Sequence, residues 1–546
     1  MRGVDVLCEV LADEGVTHIF GNPGTTELPL IAELPHRSEL QYVLGLQEGT
    51  VVAMADGYAR ITGRPAFINV HAGAGLGAAI GNLTNAVAHR APIVVTAGNA
   101  DTRHAIAEPL LSGDLVGLAA GVAKWRHEVR QAAELGTVVR RAFRLAASPP
   151  RGPVFVSLPS DILEEEIDDR SVFANPARSI LASGAIAGGL DRAAEFIAQA
   201  HDSLAIVVGD AVAEADALDE AAQLASLLGA PVFGAAFYSR RVFPTAHPLW
   251  QGMLPATAEG VRRSLERFGT VLLLDHQAFL VYGYTAGPTL PDGLQLLHLT
   301  SEPDQIGRTH PVVLGMVGDV RASLQRLIDL IPREKFAALA AERQDAGVAA
   351  HAKARQRLEA TIVERSSAGL HPMVAAHALV DSLPAESIVV DEAITTGSYL
   401  RGLHGSSGAK TYWFCRGGGL GWGMPAAAGI SLGAHREPVL AVIGDGSAMY
   451  APQALWTAAR ERLPIIFAVV DNGEYAILKR GLEAAGVRQH VGLDLGDPPL
   501  DFVALAASMG VPASRPESVE EIRSTIASRW GSSGPYLLHV PLSARG

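Results

Sequence analysis

The chain alternates short apolar runs with Ala-rich helical stretches, and this alternation confines it to a parallel α/β architecture. In the first third the runs are Tyr42–Leu44, Ala66–Val70, Pro92–Thr96 and Val154–Leu158. The middle third contributes Leu204–Val208, Pro231–Gly234, Val271–Leu274 and Leu294–Leu299. The last third contributes Ile388–Val390, Val439–Ile443, Ile465–Val470 and Tyr536–Val540. Each run is short, apolar and bounded by turn residues, as strands covered on both faces are. Strands that alternate with helices form βαβ units and parallel sheets. Two stretches break the pattern. Acidic residues cluster between Glu164 and Leu181, and Ile331–Thr361 reads as a charged, surface helical linker. The expected organisation is three α/β domains, at 1–165, 182–333 and 362–546, each a mainly parallel sheet flanked by helices. The outer two are candidates for distant copies of one another.

The totals agree with this plan. A length of 546 residues suits about three domains. Hydrophobic residues make up 48% and charged residues 18%, a globular composition with enough apolar material for ordinary cores. The formal charge of −13 argues against nucleic acid, whose binders carry basic patches, and against an anionic membrane surface. Cys8 and Cys415, the only cysteines, make neither a disulfide framework nor a zinc cluster. Asp5, Glu9 and Asp13 interrupt any leader-like run near the start. No stretch reaches the ~18 apolar residues of a membrane span. A soluble, cytoplasmic protein is expected.

The strongest chemical signal lies in the last third. The run Val439–Ile443 leads into Gly444-Asp445-Gly446-Ser447, then a helical pattern, then a second run that ends at Asp471-Asn472-Gly473. In a parallel sheet both strands finish at the same edge, where ligands bind. Asp445 and Asn472 are therefore expected side by side. Mg2+ takes hard oxygen ligands and shares them with phosphates. Asp445 offers a carboxylate, Asn472 an amide oxygen, and Glu474, just beyond, a backbone carbonyl. Gly446 and Ser447 place N–H groups at a helix start, where a phosphate is stabilised.

With these residues in view, the sequence resembles the thiamine-diphosphate-dependent enzymes, and among them benzoylformate decarboxylase and its relatives. The resemblance runs from about Phe20 to the C-terminus. It is carried by Gly444-Asp-Gly446 through Asn472, Gly21-Asn-Pro-Gly-Thr-Thr-Glu-Leu-Pro29, Leu46-Gln-Glu48, Asn69-Val-His71, Phe243-Pro-Thr-Ala-His-Pro248 and Gly417-Gly-Gly-Leu-Gly421.

The resemblance implies a role for each matching residue. Glu48 matches the carboxylate that bonds the cofactor's aminopyrimidine and activates it, although a carboxylate at a helix start is also what simple capping would place there. Gly418 matches the residue whose carbonyl accepts from the aminopyrimidine amine. Leu420 matches the wedge that bends the cofactor, and Thr395 and Tyr475 match residues near its diphosphate. His71 matches a proton-handling His, with the ordinary pKa for that task. Thr25 matches a Ser that bonds the substrate carboxylate. The implied reaction is thiamine-diphosphate- and Mg2+-dependent, non-oxidative decarboxylation of a 2-oxo acid to an aldehyde. The implied assembly is a homodimer or homotetramer, with Glu48 and Asp445 meeting only across a subunit interface.

The sequence also departs from that pattern. Asp471 stands where relatives often have Asn. The family's second catalytic His falls on Tyr282, with Tyr284 close by and His276 six residues earlier. Tyrosine, with an ordinary pKa near 10, suits neutral-pH proton transfer less well. Beyond Tyr475, Ile477 replaces a small residue, while Arg480 and Gly481 replace aromatics, so Arg480 is a candidate partner for a second substrate carboxylate.

Three rivals remain. Loss of the second His favours a carboligase or lyase on the same cofactor, of the acetolactate synthase kind. The Gly-rich run after His71 contains a dinucleotide-like pattern, but no acidic residue ends the next strand. A non-catalytic binding protein is disfavoured by the presence of both Glu48 and Asp445.

Overall fold

The computed structural model describes residues 1–167, 184–367 and 369–543. These form three six-stranded parallel sheets flanked by helices. The first sheet contains β1 (His18–Asn22), β2 (Gln41–Leu44), β3 (Ala66–Val70), β4 (Ile93–Asn99), β5 (Arg126–Glu128) and β6 (Val154–Pro159). The second contains β7 (Leu204–Val208), β8 (Val232–Gly234), β9 (Trp250–Met253), β10 (Thr270–Leu274), β11 (Gln295–Thr300) and β12 (Leu314–Val317). The third contains β13 (Ile388–Glu392), β14 (Tyr412–Phe414), β15 (Val439–Gly444), β16 (Ile465–Asp471), β17 (Ala513–Ser514) and β18 (Tyr536–Pro541).

The spatial orders are β2-β1-β3-β4-β6-β5, β12-β11-β10-β7-β8-β9 and β14-β13-β15-β16-β18-β17. Counted from the first strand of each, the outer sheets share one order, which supports reading them as copies.

Every run expected to be a strand forms one. Those at sheet centres, such as β3, β4, β7 and β10, are buried along their whole length. The linker expected at Ile331–Thr361 is the long helix Arg333–Ser366, which buries only Phe336, Ala340 and Ile362. The other expected break, Glu164–Leu181, falls largely outside the described residues. The chain forms two compact units, one holding the first sheet and most of the third, the other the middle sheet with Ser398–Phe414, which carries β14. In the first core, Val6, Leu7 and Leu11 of the helix Gly3–Asp13 join Leu135 and Val139 of the helix Ala132–Ala147. Among the described residues no helix is long and apolar enough to cross a membrane.

Candidate active site

Parallel pairing decides which loops share an edge of the first sheet. Asn22 at the end of β1 pairs in register with Val70 at the end of β3, and Gly21 pairs with Leu44 at the end of β2. The turn Gly24–Glu27, Glu48 and His71 therefore emerge at one carboxyl edge.

Glu48 begins the helix Glu48–Thr62, but it does not cap it. The cap is Gln47, whose side-chain oxygen accepts from the Thr50 N–H at 2.9 Å. The Glu48 carboxylate is left for another task. Asn22 Nδ2 donates to its Oε1 at 3.1 Å. Gly75 gives it room, since a Cβ there would stand 3.1 Å from Glu48 Oε1.

His71 follows β3. Its Nδ1 lies 2.8 Å from Glu27 Oε2 and 3.2 Å from Thr26 Oγ1. Glu27, only 1% exposed, also accepts from the N–H groups of Gly24 (3.0 Å) and Gly98 (2.9 Å) and from Thr26 Oγ1 (2.7 Å). With Thr26 Oγ1 already donating to Glu27, the pair suits a His71 tautomer that donates from Nδ1. Gly24 is required because a Cβ would overlap the His71 ring. Thr25 sits exposed on the same turn. Sequence reasoning missed Glu27 and Asn22, although both lie within the Gly21–Pro29 stretch it singled out.

The third sheet supplies the other half. Gly444 pairs in register with Val470, so the neighbour of Asp445 is Asp471, and Asn472 lies one residue further on. The Gly473 N–H donates to Asp445 Oδ2 and to Asp471 Oδ1, each at 2.9 Å. Burial, reinforced by the adjacent Asp471 carboxylate, pushes the Asp445 carboxyl up to about 7. The hydrogen bond from His539 Nε2, 2.7 Å from Asp471 Oδ2, helps hold the Asp471 carboxyl below its ordinary value against burial.

Asn472 Oδ1 accepts from the Glu474 N–H at 3.2 Å. The Glu474 carboxylate turns to Lys479 Nζ at 2.5 Å, which leaves its backbone carbonyl as its contribution to a metal. Gly446 is crowded by the Tyr475 ring, where no Cβ would fit, and Ser447 follows it in the short helical turn Asp445–Ala448. Thr395 lies in the first turn of the helix that follows β13.

This donor set fits a divalent cation that shares its sphere with phosphate oxygens: one carboxylate under charge pressure, one amide and one carbonyl. Among the described residues no group of three or more His, Cys, Asp or Glu side chains could hold a metal ion.

The Gly417–Gly421 loop carries Gly418 at φ +78° and Gly421 at φ +89°, a left-handed backbone that glycine adopts without strain. Gly418 is exposed and Leu420 half-buried. A helix of the first sheet reaches this loop within the chain: Asn82 Nδ2 donates to Gly49 O (2.9 Å) and reaches Gly421 O (3.5 Å). Asn85 Nδ2 donates to Gly419 O at 2.9 Å.

Tyr282 and Tyr284 belong to the second compact unit and are 89% and 93% exposed. The Tyr282 ring meets Phe237 edge-on, with centroids 6.5 Å apart, and its N–H donates to Ala256 O. His276 is buried beside Glu214 (3.2 Å) and Thr300 (3.3 Å), which suits packing rather than substrate contact.

Three family profiles match the chain. The thiamine pyrophosphate enzyme N-terminal TPP binding domain matches residues 1–113, the central domain 190–327 and the C-terminal TPP binding domain 399–540. Benzoylformate decarboxylase of Pseudomonas aeruginosa is 33% identical over 98% of this chain and 97% of its own length. The acetolactate synthase isozyme 3 large subunit of Escherichia coli is 26% identical over 95% of this chain and 91% of its own. Among solved structures, the thiamine diphosphate-dependent 4-hydroxybenzoylformate decarboxylase of Rhodococcus jostii RHA1 superposes with a TM-score of 0.89 at 30% identity, covering 99% of both chains.

Proposed function

Because this chain belongs to the thiamine pyrophosphate enzyme family, we propose that it is a thiamine-diphosphate- and Mg2+-dependent carboxy-lyase that converts a 2-oxo acid of the benzoylformate type to an aldehyde and carbon dioxide. The observation that carries this reading is the freed carboxylate of Glu48. Gln47 takes over the helix cap, and Asn22 donates to Glu48 at the carboxyl edge of the first sheet.

Bound in the cleft, thiamine diphosphate supplies a nucleophilic carbon and an electron sink for the loss of carbon dioxide. The chain's own residues orient and protonate. Glu48 holds a proton at the aminopyrimidine. Asp445, Asn472 and the Glu474 carbonyl would hold the metal, and the N–H groups of Gly446 and Ser447 would face the diphosphate, with Thr395 and Tyr475 nearby. The Gly418 carbonyl would accept from the pyrimidine amine, and Leu420 would support the rings. Thr25 binds the substrate carboxylate. His71, fixed through Nδ1 by Glu27, moves a proton at Nε2, and Tyr282 takes the place of a second acid.

Domains bounded at 1–165, 182–333 and 362–546, a cytoplasmic location and a homodimer or homotetramer complete the proposal. A monomer on light scattering that remains fully active would refute the assembly.

The test is carbon dioxide release from benzoylformate, its 4-hydroxy analogue, pyruvate, branched-chain oxo acids and 2-oxoglutarate, with cofactor and Mg2+ added or withheld. Cofactor-dependent release with a matching aldehyde is the expected result. Acyloin in place of aldehyde would favour the carboligase reading, which the Tyr at position 282 and the likeness to acetolactate synthase both support. No cofactor-dependent consumption of any acid would overturn the decarboxylase reading.

A further inference from the structure

The Arg416–Trp422 stretch contains the residues expected to hold the pyrimidine ring, yet glycines 417, 418, 419 and 421 bring no side chains to fix it. Its order comes from elsewhere. At its start the Arg416 N–H donates to His89 Nε2 at 3.0 Å. At its middle the Gly419 N–H donates to Asn85 Oδ1 (3.0 Å), and Asn85 Nδ2 returns a bond to Gly419 O (2.9 Å). Asn82 reaches the Gly421 carbonyl at 3.5 Å. At its end Trp422 Nε1 donates to Asp56 Oδ2 at 2.7 Å, and Glu392 accepts from the Trp422 and Gly423 N–H groups at 3.0 and 2.8 Å.

The network also joins to itself. His89 Nδ1 is 2.6 Å from Asp56 Oδ2, and Asn85 Nδ2 is 2.8 Å from Asn82 Oδ1. Since Nε2 accepts from Arg416, Nδ1 carries the proton and donates to Asp56. Asp56, Asn85, His89 and Trp422 are all buried, at 0–2% exposure. Asn82, Asn85 and His89 stand three and four residues apart, so one face of the helix Ala72–Ala88 and its cap addresses the loop.

We infer that Asn82, Asn85 and His89, with Asp56, are positioning residues that hold the Gly-rich loop in its cofactor-binding shape. Cofactor affinity is thus set partly by a face of the first sheet's helices, remote from the diphosphate and metal. This rests on the thiamine-diphosphate reading of the site. A loop of consecutive glycines has a large conformational entropy to lose on ordering. Bonds that order it beforehand spare the ligand that cost.

The experiment measures thiamine diphosphate affinity by calorimetry, with Mg2+ saturating, for wild type, Asn85→Ala and His89→Gln, alongside the melting temperature of each apo protein. Asn85→Ala removes both bonds to Gly419, and the expected result is a dissociation constant raised about tenfold, with turnover largely kept once cofactor saturates. His89→Gln retains at most one of the two ring bonds and should weaken binding less. Equal affinity in all three proteins would overturn the inference, as would a fall in apo stability with affinity unchanged, which assigns the network to folding alone. If Asn85→Ala does not fold, His89→Gln decides by the same criteria. A wild type that binds no thiamine diphosphate overturns the functional reading itself, a result distinct from wild type and variants binding equally well.

Discussion

Gln47 and Glu48 stand next to each other at a helix start, and only Gln47 bonds the helix's free N–H groups. Either side chain can cap, so the pair is ambiguous in one dimension. The structure resolves it by turning Glu48 toward Asn22. Glu48→Gln should keep that contact and the fold while lowering turnover by roughly 10²–10⁴-fold. Carbon dioxide release at saturating cofactor, beside an unchanged circular dichroism spectrum, checks this. A second residue-scale prediction concerns Glu392. Burial pushes its carboxyl from the ordinary 4.5 up to about 7, against the opposing N–H groups of Gly423, Trp422 and Gly421. Between those values the folded chain keeps a proton that the unfolded chain releases. The contribution of Glu392 therefore favours the fold at low pH and falls as pH rises from about 4.5 to about 7. In Glu392→Gln the decline in melting temperature across that window should be shallower than in wild type. An identical slope would show that Glu392 does not titrate there.

At the scale of elements, two helices touch backbone to backbone. A Cβ on Gly57, in the helix Glu48–Thr62, would run into the Ala426 carbonyl, and one on Gly429, in the helix Gly423–Gly433, into the Met54 carbonyl. The contact joins the helix begun by Glu48 to the helix that follows the Gly-rich loop. Gly429→Ala improves intrinsic helix propensity yet should destabilise by ~1–3 kcal/mol through overpacking, read as a lower urea midpoint. A stabilised variant would mean that the helices are not in close contact. The same scale shows where sequence reading stopped. Central strands were legible because burial on both faces demands unbroken apolar runs. The edge strands β5, β9 and β17 carry mixed patterns, as in Arg126–Glu128, and are only partly buried. β1 was also hidden, although central, because only Ile19 and Phe20 separate His18 from Gly21.

For the whole molecule, the outer sheets share a strand order, and the proposed site draws Glu48 and His71 from the carboxyl edge of the first and Asp445 and Asn472 from that of the third. A ligand held by both should stabilise the fold by mass action, by ~2.7 kcal/mol at a hundredfold excess over its dissociation constant. Thiamine diphosphate with Mg2+ should accordingly raise the melting temperature, and a chelator should cancel the rise. A rise that survives chelation would show that Asp445 and Asn472 do not act through a metal.

What the sequence by itself determined was the parallel α/β plan, and with it the placing of Asp445 and Asn472 past the ends of two neighbouring strands. Each rests on local order: apolar runs, a strand–turn–helix succession, a motif read along the chain. What only the tertiary structure decided was who partners whom. Glu27 under His71, Asn22 on Glu48, His539 against Asp471 and Asn85 on Gly419 pair residues far apart in the chain. Hydrogen bonds and burial depend on distance in space, and that distance exists only once the sheets have brought their edges into place.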